Sequence, residues 1–165
     1  MLTRRRFTLL ALGAPMAFSA MERLARAQAQ GGNPSIEILL LHARKDPKGG
    51  TTDPRVPKIP QLAREPFNQF NAYAFLDNKT LKLDHLKDAD PWKGKPSAAY
   101  PLPTGKPMQV VLLEQLPDKR FQMGAAIGQD SPDVVRWNAP AREPFFIAGQ
   151  TYKDGILVIG ITLRA

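Results

Sequence analysis

The clearest hydrophobic pattern in the chain is at 35–43, SIEILLLHA, where Ile36, Ile38, Leu40 and His42 fall on one side and Leu39 and Leu41 on the other. A strand apolar on both sides belongs in the middle of a sheet, because an edge or half-solvated strand would alternate with polar residues. The stretch 156–163, ILVIGITL, has the same character and predicts a second central strand, which would lock the C-terminal end into the sheet. Between them, 120–127 alternates with period two: Phe121, Met123, Ala125 and Ile127 inward, Arg120, Gln122 and Gly124 outward. Further strands are expected at 108–115, 134–137 and 145–150. They are separated by Thr104-Gly105, Pro117-Asp118, the 128–132 segment, Ala139-Pro140 and Lys153-Asp154-Gly155. Two short runs, 73–76 and 80–83, flank Asp77-Asn78-Lys79 and read as a β-hairpin. About eight short strands, with little helix and no internal repeat, predict an all-β domain: an antiparallel β-sandwich, with a closed β-barrel as the alternative.

Two long stretches break this pattern. Over 44–66 the chain carries Pro47, Pro54, Pro57, Pro60 and Pro66 and the pair Gly49-Gly50, which exclude a long helix or an interior strand and leave one short helical turn around 61–65. Phe67, Phe70, Tyr73 and Phe75 follow and are expected to plug one end of the core. The second irregular stretch, 87–107, holds Pro91, Trp92, Gly94, Pro96, Pro101 and Pro103. Loops longer than about 12 residues are uncommon in compact domains and are often functional.

The first 29 residues follow a different grammar. Thr3-Arg4-Arg5-Arg6-Phe7 leads into a mostly apolar run over 7–20 and then into Ala27-Gln28-Ala29, a basic start, an apolar middle and a small-residue cleavage site. This segment resembles the twin-arginine (Tat) signal peptides of bacteria, whose pattern is Ser/Thr-Arg-Arg-x-Phe-Leu-Lys. Thr3, Arg4, Arg5, Arg6 and Phe7 match its first five positions, and Thr8 and Leu9 depart from its last two. Gly13, Pro15 and Ser19 dilute the apolar run, and Arg23 and Arg26 precede the cleavage site, features that favour Tat over the ordinary Sec route. The resemblance implies recognition through Arg4, Arg5 and Phe7, cleavage after Ala29 with Ala27 at the site, passage through the twin-arginine translocase, and a periplasmic or secreted product. Interruption of the run by Pro15, Ser19, Glu22 and Arg23 argues against a permanent membrane anchor. The chain is thus expected to comprise a signal-peptide helix at 1–29, a flexible linker at 30–34 and one β-sandwich domain at 35–165. That domain resembles small exported bacterial β-proteins, a likeness that brings no activity with it.

Composition narrows the chemistry. The net charge is +8, but Arg4, Arg5, Arg6, Arg23 and Arg26 against Glu22 carry half of it, so the mature chain is only mildly basic. No cysteine is present, which removes disulfides, thiolate metal ligands and cysteine nucleophiles together. With two histidines, His42 and His85, no cofactor is expected. His42 sits in register with Ile36, Ile38 and Leu40 and reads as a packed core histidine. His85 lies beside Asp84, Asp88 and Asp90, but the spacing lacks the order of a calcium loop, so no metal is expected there. Ser35, Ser97 and Ser131 stand in no G-x-S-x-G setting.

Binding is therefore the leading expectation, with two candidate surfaces. One is the loop at 44–66, presenting Arg55, Lys58 and Arg64. The other is the stretch at 87–107, where Trp92, Lys93, Lys95 and Tyr100 set aromatic rings beside cations suited to stacking on a sugar or docking a partner. The expected function is a non-enzymatic accessory or binding module of the cell envelope, meeting an envelope protein or an anionic polysaccharide rather than nucleic acid. The alternative is a small periplasmic hydrolase built on His85 with Asp84 and Asp88.

Overall fold

The computed structural model describes residues 34–85, 92, 94–128 and 133–165, with the side chain of His85 outside that set. Among these residues nine strands form in chain order: β1 (Ser35–Arg44), β2 (Ala72–Lys82), β3 (Asp84–His85), β4 (Pro96–Pro101), β5 (Pro107–Gln115), β6 (Phe121–Ile127), β7 (Asp133–Ala139), β8 (Pro144–Tyr152) and β9 (Gly155–Arg164). They make two open sheets, one ordered β2-β1-β9-β8 and the other β3-β4-β5-β6-β7. Every strand pairing is antiparallel. The architecture is the expected β-sandwich, and among the described residues the sheets do not close into a barrel.

The inner faces follow the alternation of the sequence. Ile36, Ile38 and Leu40 of β1 and Leu157, Ile159, Ile161 and Leu163 of β9 face Met108, Val110 and Leu112 of β5 and Phe121, Met123, Ala125 and Ile127 of β6. Both sequence-predicted central strands are central, β1 between β2 and β9, and β9 between β1 and β8. Trp137 of β7 stacks on Phe145 of β8, with ring centroids 4.6 Å apart, and joins the two sheets along one side.

Two expectations fail at the next level of detail. The hairpin at Asp77-Asn78-Lys79 does not form; β2 runs straight through it and pairs with the whole of β1. A turn there would have left half of β1 without a partner on that side, and the sequence lacks the glycine that a tight hairpin turn favours. The register instead slips between Leu40 and Leu41, which sit opposite Asp77 and Phe75 and leave Leu76 as the extra residue of a β-bulge. The loop over 87–107 is also shorter than expected, because β4 occupies its middle, between β3 and β5. Pro96 and Pro101 sit at the two ends of β4, where proline is better tolerated than in the interior of a strand.

Each sheet carries a cover on its outer face. The segment 45–71 lies on the β2-β1-β9-β8 sheet, where Val56 and Phe67 are buried with Leu41, Ala43, Tyr73 and Val158 in a second apolar cluster. The aromatic run after the loop, with Phe70 and Phe75 packed on this cluster, therefore seals an outer face and not an end of the core. Short 3-10 turns at Pro60–Ala63 and Phe67–Gln69 shape the cover. The Asp53 amide donates to the Tyr73 carbonyl at 2.8 Å, and the Tyr73 hydroxyl donates to the Phe67 carbonyl at 2.8 Å. At the far end the Asn71 side chain brackets Asp46, accepting from its amide and donating to its carbonyl. Gly50 passes so close to Asn71 that a Cβ there would lie 1.9 Å from the Asn71 carbonyl oxygen, so only glycine fits. On the opposite sheet Trp92 lies over Gly124; a Cβ on Gly124 would sit 3.1 Å from the indole.

Candidate functional site

The three cations expected to form a contact surface sit on the cover over the first sheet. Arg55 is held twice: its guanidinium meets the Asp53 carboxylate at 2.7 Å and lies 4.9 Å from the centre of the Phe75 ring. The hydrogen bonds from the Arg55 side chain and then its backbone amide draw the Asp53 carboxyl down to about 2. Lys58 and Arg64 are exposed and pair with no carboxylate among the described residues. The backbone beneath them is fixed, since the Arg64 carbonyl accepts from the amides of Phe67 and Asn68 at 2.8 and 3.0 Å. With Val56 and Phe67 buried on either side, these cations are presented on a packed surface and not on a free arm.

The second expected surface comes apart. Trp92 is 5% exposed, on the outer face of the second sheet, and the Arg136 guanidinium lies 5.0 Å from its ring centre. Tyr100 is 6% exposed and belongs to the core between the sheets. The two aromatics thus sit on opposite faces of one sheet and cannot form a common stacking platform. Burial of such large apolar rings outweighs whatever their neighbouring prolines and lysines suggest. Lys95 donates to the Leu113 carbonyl at 3.2 Å, and Lys93 lies outside the described residues.

What Tyr100 does form is a cluster that the sequence did not disclose. Its hydroxyl donates to Asp77 Oδ2 at 2.5 Å, and Lys79 Nζ stands 3.5 Å from the same oxygen. The bulge at Leu76 brings Asp77 to this position. Phe75 packs on the outer cluster, and by simple alternation Asp77 would follow it outward; the extra residue turns it toward β4 instead. The Tyr100 hydrogen bond, helped by Lys79, holds the Asp77 carboxyl below its ordinary value, while burial first and then Asp77 push the Tyr100 phenol up. The cluster borders an open cleft of about 360 Å³ between β2 and β4, with Leu40, Leu102 and Tyr152 along it. At the end of β1 nearby, the buried His42 ring meets Tyr152 edge-on at 5.3 Å. Its Nε2 lies 3.3 Å from Asp154 Oδ1, within ion-pair range but outside hydrogen-bond alignment.

The elements of the alternative hydrolase are only partly in view. Asp84 is exposed on β3, whereas the His85 side chain and Asp88 lie outside the described residues. The signal-peptide residues Arg4, Arg5, Phe7, Ala27 and Ala29 lie outside them as well. Among the described residues no group of three histidine, aspartate or glutamate side chains gathers as a metal site, and no helix is long and apolar enough to cross a membrane. No protein-family model, curated protein or solved structure matches the chain.

Proposed function

We propose that the protein is an exported binding module whose contact surface is the packed cover at 45–71, with Arg55, Lys58 and Arg64 meeting a polyanionic component of the cell envelope. The observation that carries this reading is the anchoring of that cover. Its apolar residues are sunk into the sheet while its cations stand outside on a fixed backbone, so little ordering entropy is lost when an anionic surface is met. Arg55 is partly neutralised by Asp53, which leaves Lys58 and Arg64 as the stronger contributors. The twin-arginine-like start supplies the route: the sandwich folds in the cytoplasm, crosses the inner membrane through the translocase, and is released by cleavage after Ala29.

The test is co-sedimentation of the mature chain, residues 30–165, with an acidic polysaccharide such as polygalacturonate. Binding should weaken as ionic strength rises and the Debye length shrinks to about 8 Å near physiological salt. A variant with Lys58 and Arg64 both changed to Glu should not co-sediment. Equal retention of the variant and the parent protein would reject the reading. For the route, replacing both Arg4 and Arg5 with lysine should leave the precursor in the cytoplasm, and unimpaired delivery would reject it.

A further inference from the structure

The cover does not reach across the whole outer face of its sheet. Beside it, near the N-terminal half of β1, a hollow of about 180 Å³ remains, smaller than the roughly 300 Å³ from which drug-sized sites begin. Leu39, Gly160 and Phe146 line it on the sheet, and Pro57 and Ile59 line it from the edge of the cover. Gly160 is what lets the Phe146 ring lie close against the strand and wall the hollow. In the middle of a strand that is otherwise large and apolar it carries no side chain, and a Cβ there would stand 2.7 Å from Phe146 Cε1. Phe146 is in turn braced edge-on by Phe67 at 5.9 Å, so the ring is held in place.

The polar groups at this hollow are unequal. Arg164 is bonded to Glu37, whose other carboxylate oxygen accepts from Asn78 at 3.1 Å, so both charges of that pair are engaged. Arg142 also lines the hollow and pairs with no carboxylate among the described residues. Its backbone is fixed in the β7–β8 turn, with φ of 69° and its amide donating to the Leu163 carbonyl at 2.8 Å. The combination is a small apolar recess with one uncommitted guanidinium beside it, and a guanidinium is matched by a carboxylate, which it can hold through two parallel hydrogen bonds.

We propose that this hollow binds a short-chain alkyl carboxylate, the chain lying on Leu39, Gly160 and Phe146 and the carboxylate held by Arg142. The site stands beside the polyanion surface and does not depend on it, since none of the cations reversed in that test is needed here. Isothermal titration of the full chain with hexanoate should give saturable binding. Hexan-1-ol, which lacks the charge, and acetate, which lacks the chain, should each bind on the order of tenfold more weakly or worse. Arg142→Asn keeps a residue that tolerates positive φ and removes the charge; it should lower hexanoate affinity about tenfold at an unchanged melting temperature. Gly160→Ala should abolish binding by displacing Phe146; if that variant fails to fold, Arg142→Asn, on an exposed turn, decides the matter. Absence of saturable hexanoate binding, hexan-1-ol binding as tightly as hexanoate, or unchanged hexanoate affinity in Arg142→Asn would each overturn the proposal.

Discussion

The stretches 45–71 and 92–107 are both rich in proline and lysine, and each contributes a cover to one sheet, yet they reach that end differently. The first forms no strand, only two short 3-10 turns, and inserts two separated anchors, Val56 and Phe67, between which cations face outward. The second inserts Trp92 on the outer face and then gives its middle to β4, which carries Tyr100 into the core from the other side. Proline count does not separate them. What does is the placing of the apolar residues: Ala98 and Tyr100 alternate between Pro96 and Pro101 and enter the core from a paired strand, whereas Val56 and Phe67 stand far apart as single anchors. A proline-rich stretch next to a sheet is therefore a cover or a strand according to the spacing of its apolar residues, and in both cases its buried aromatic residues face a sheet.

The largest effect on this comparison should come from deleting β9. Val158 supports the first cover and Leu157, Ile159 and Ile161 pack in the core against the second sheet, so the first cover loses its base and the second sheet its facing partner. We expect no cooperative thermal transition in the 1–154 fragment, measured by near-ultraviolet circular dichroism. Next come the anchors taken singly. Phe67→Ala and Trp92→Ala should each cost about 3 kcal/mol in urea unfolding, at the lower end for truncation of a buried aromatic residue. The two sit on opposite outer faces and share no partner, so their effects should add. A clearly non-additive double variant would show the covers to be coupled through the core.

A smaller effect is expected at the Tyr100–Asp77 contact, which spans β4 and β2. Tyr100→Phe should cost about 1–2 kcal/mol by removing a hydrogen bond to a charged acceptor. It should also alter the acid limb of stability. Asp77 has a carboxyl pKa held below its unfolded value, so its contribution is present above about 3.9 and disappears as pH falls through the lower folded value. With Tyr100 replaced, the pH dependence of the unfolding free energy below about 4 should flatten. The smallest effect on stability should follow reversal of Lys58 and Arg64, both exposed: the melting temperature should hardly move while polyanion binding is lost.

Much of this fold was legible because its central strands are apolar on both faces. Patterns such as those at 35–43 and 156–163 leave no surface for water and so fix both element and position. The continuous β2 was hidden because Asp77-Asn78-Lys79 has turn composition, and only the pairing demand of β1 overrides it. For the same reason the Asp77–Tyr100 cluster was not foreseen: a bulge at Leu76 shifts the parity of every later residue in β2, and nothing in an isolated sequence marks where the extra residue falls. The basic cover was recognised as a loop, and its cations as exposed. Its anchoring was not, since Val56 and Phe67 find their partners on β1, β2 and β9 only after the sheet exists. Glycines were the missed signal: Gly124 beneath Trp92 and Gly160 beside Phe146 each mark where an aromatic ring approaches a strand.

The central claim is that 45–71 is a packed cover holding its cations in place. Backbone amide hydrogen exchange tests it most directly, at the amides of Asp53, bonded to Tyr73, and of Val56 and Phe70 within the cover. We expect these amides to exchange far more slowly than an unfolded chain, with protection that falls in Phe67→Ala. Exchange at unfolded-chain rates across 45–71, with β1 and β9 still protected, would contradict the account.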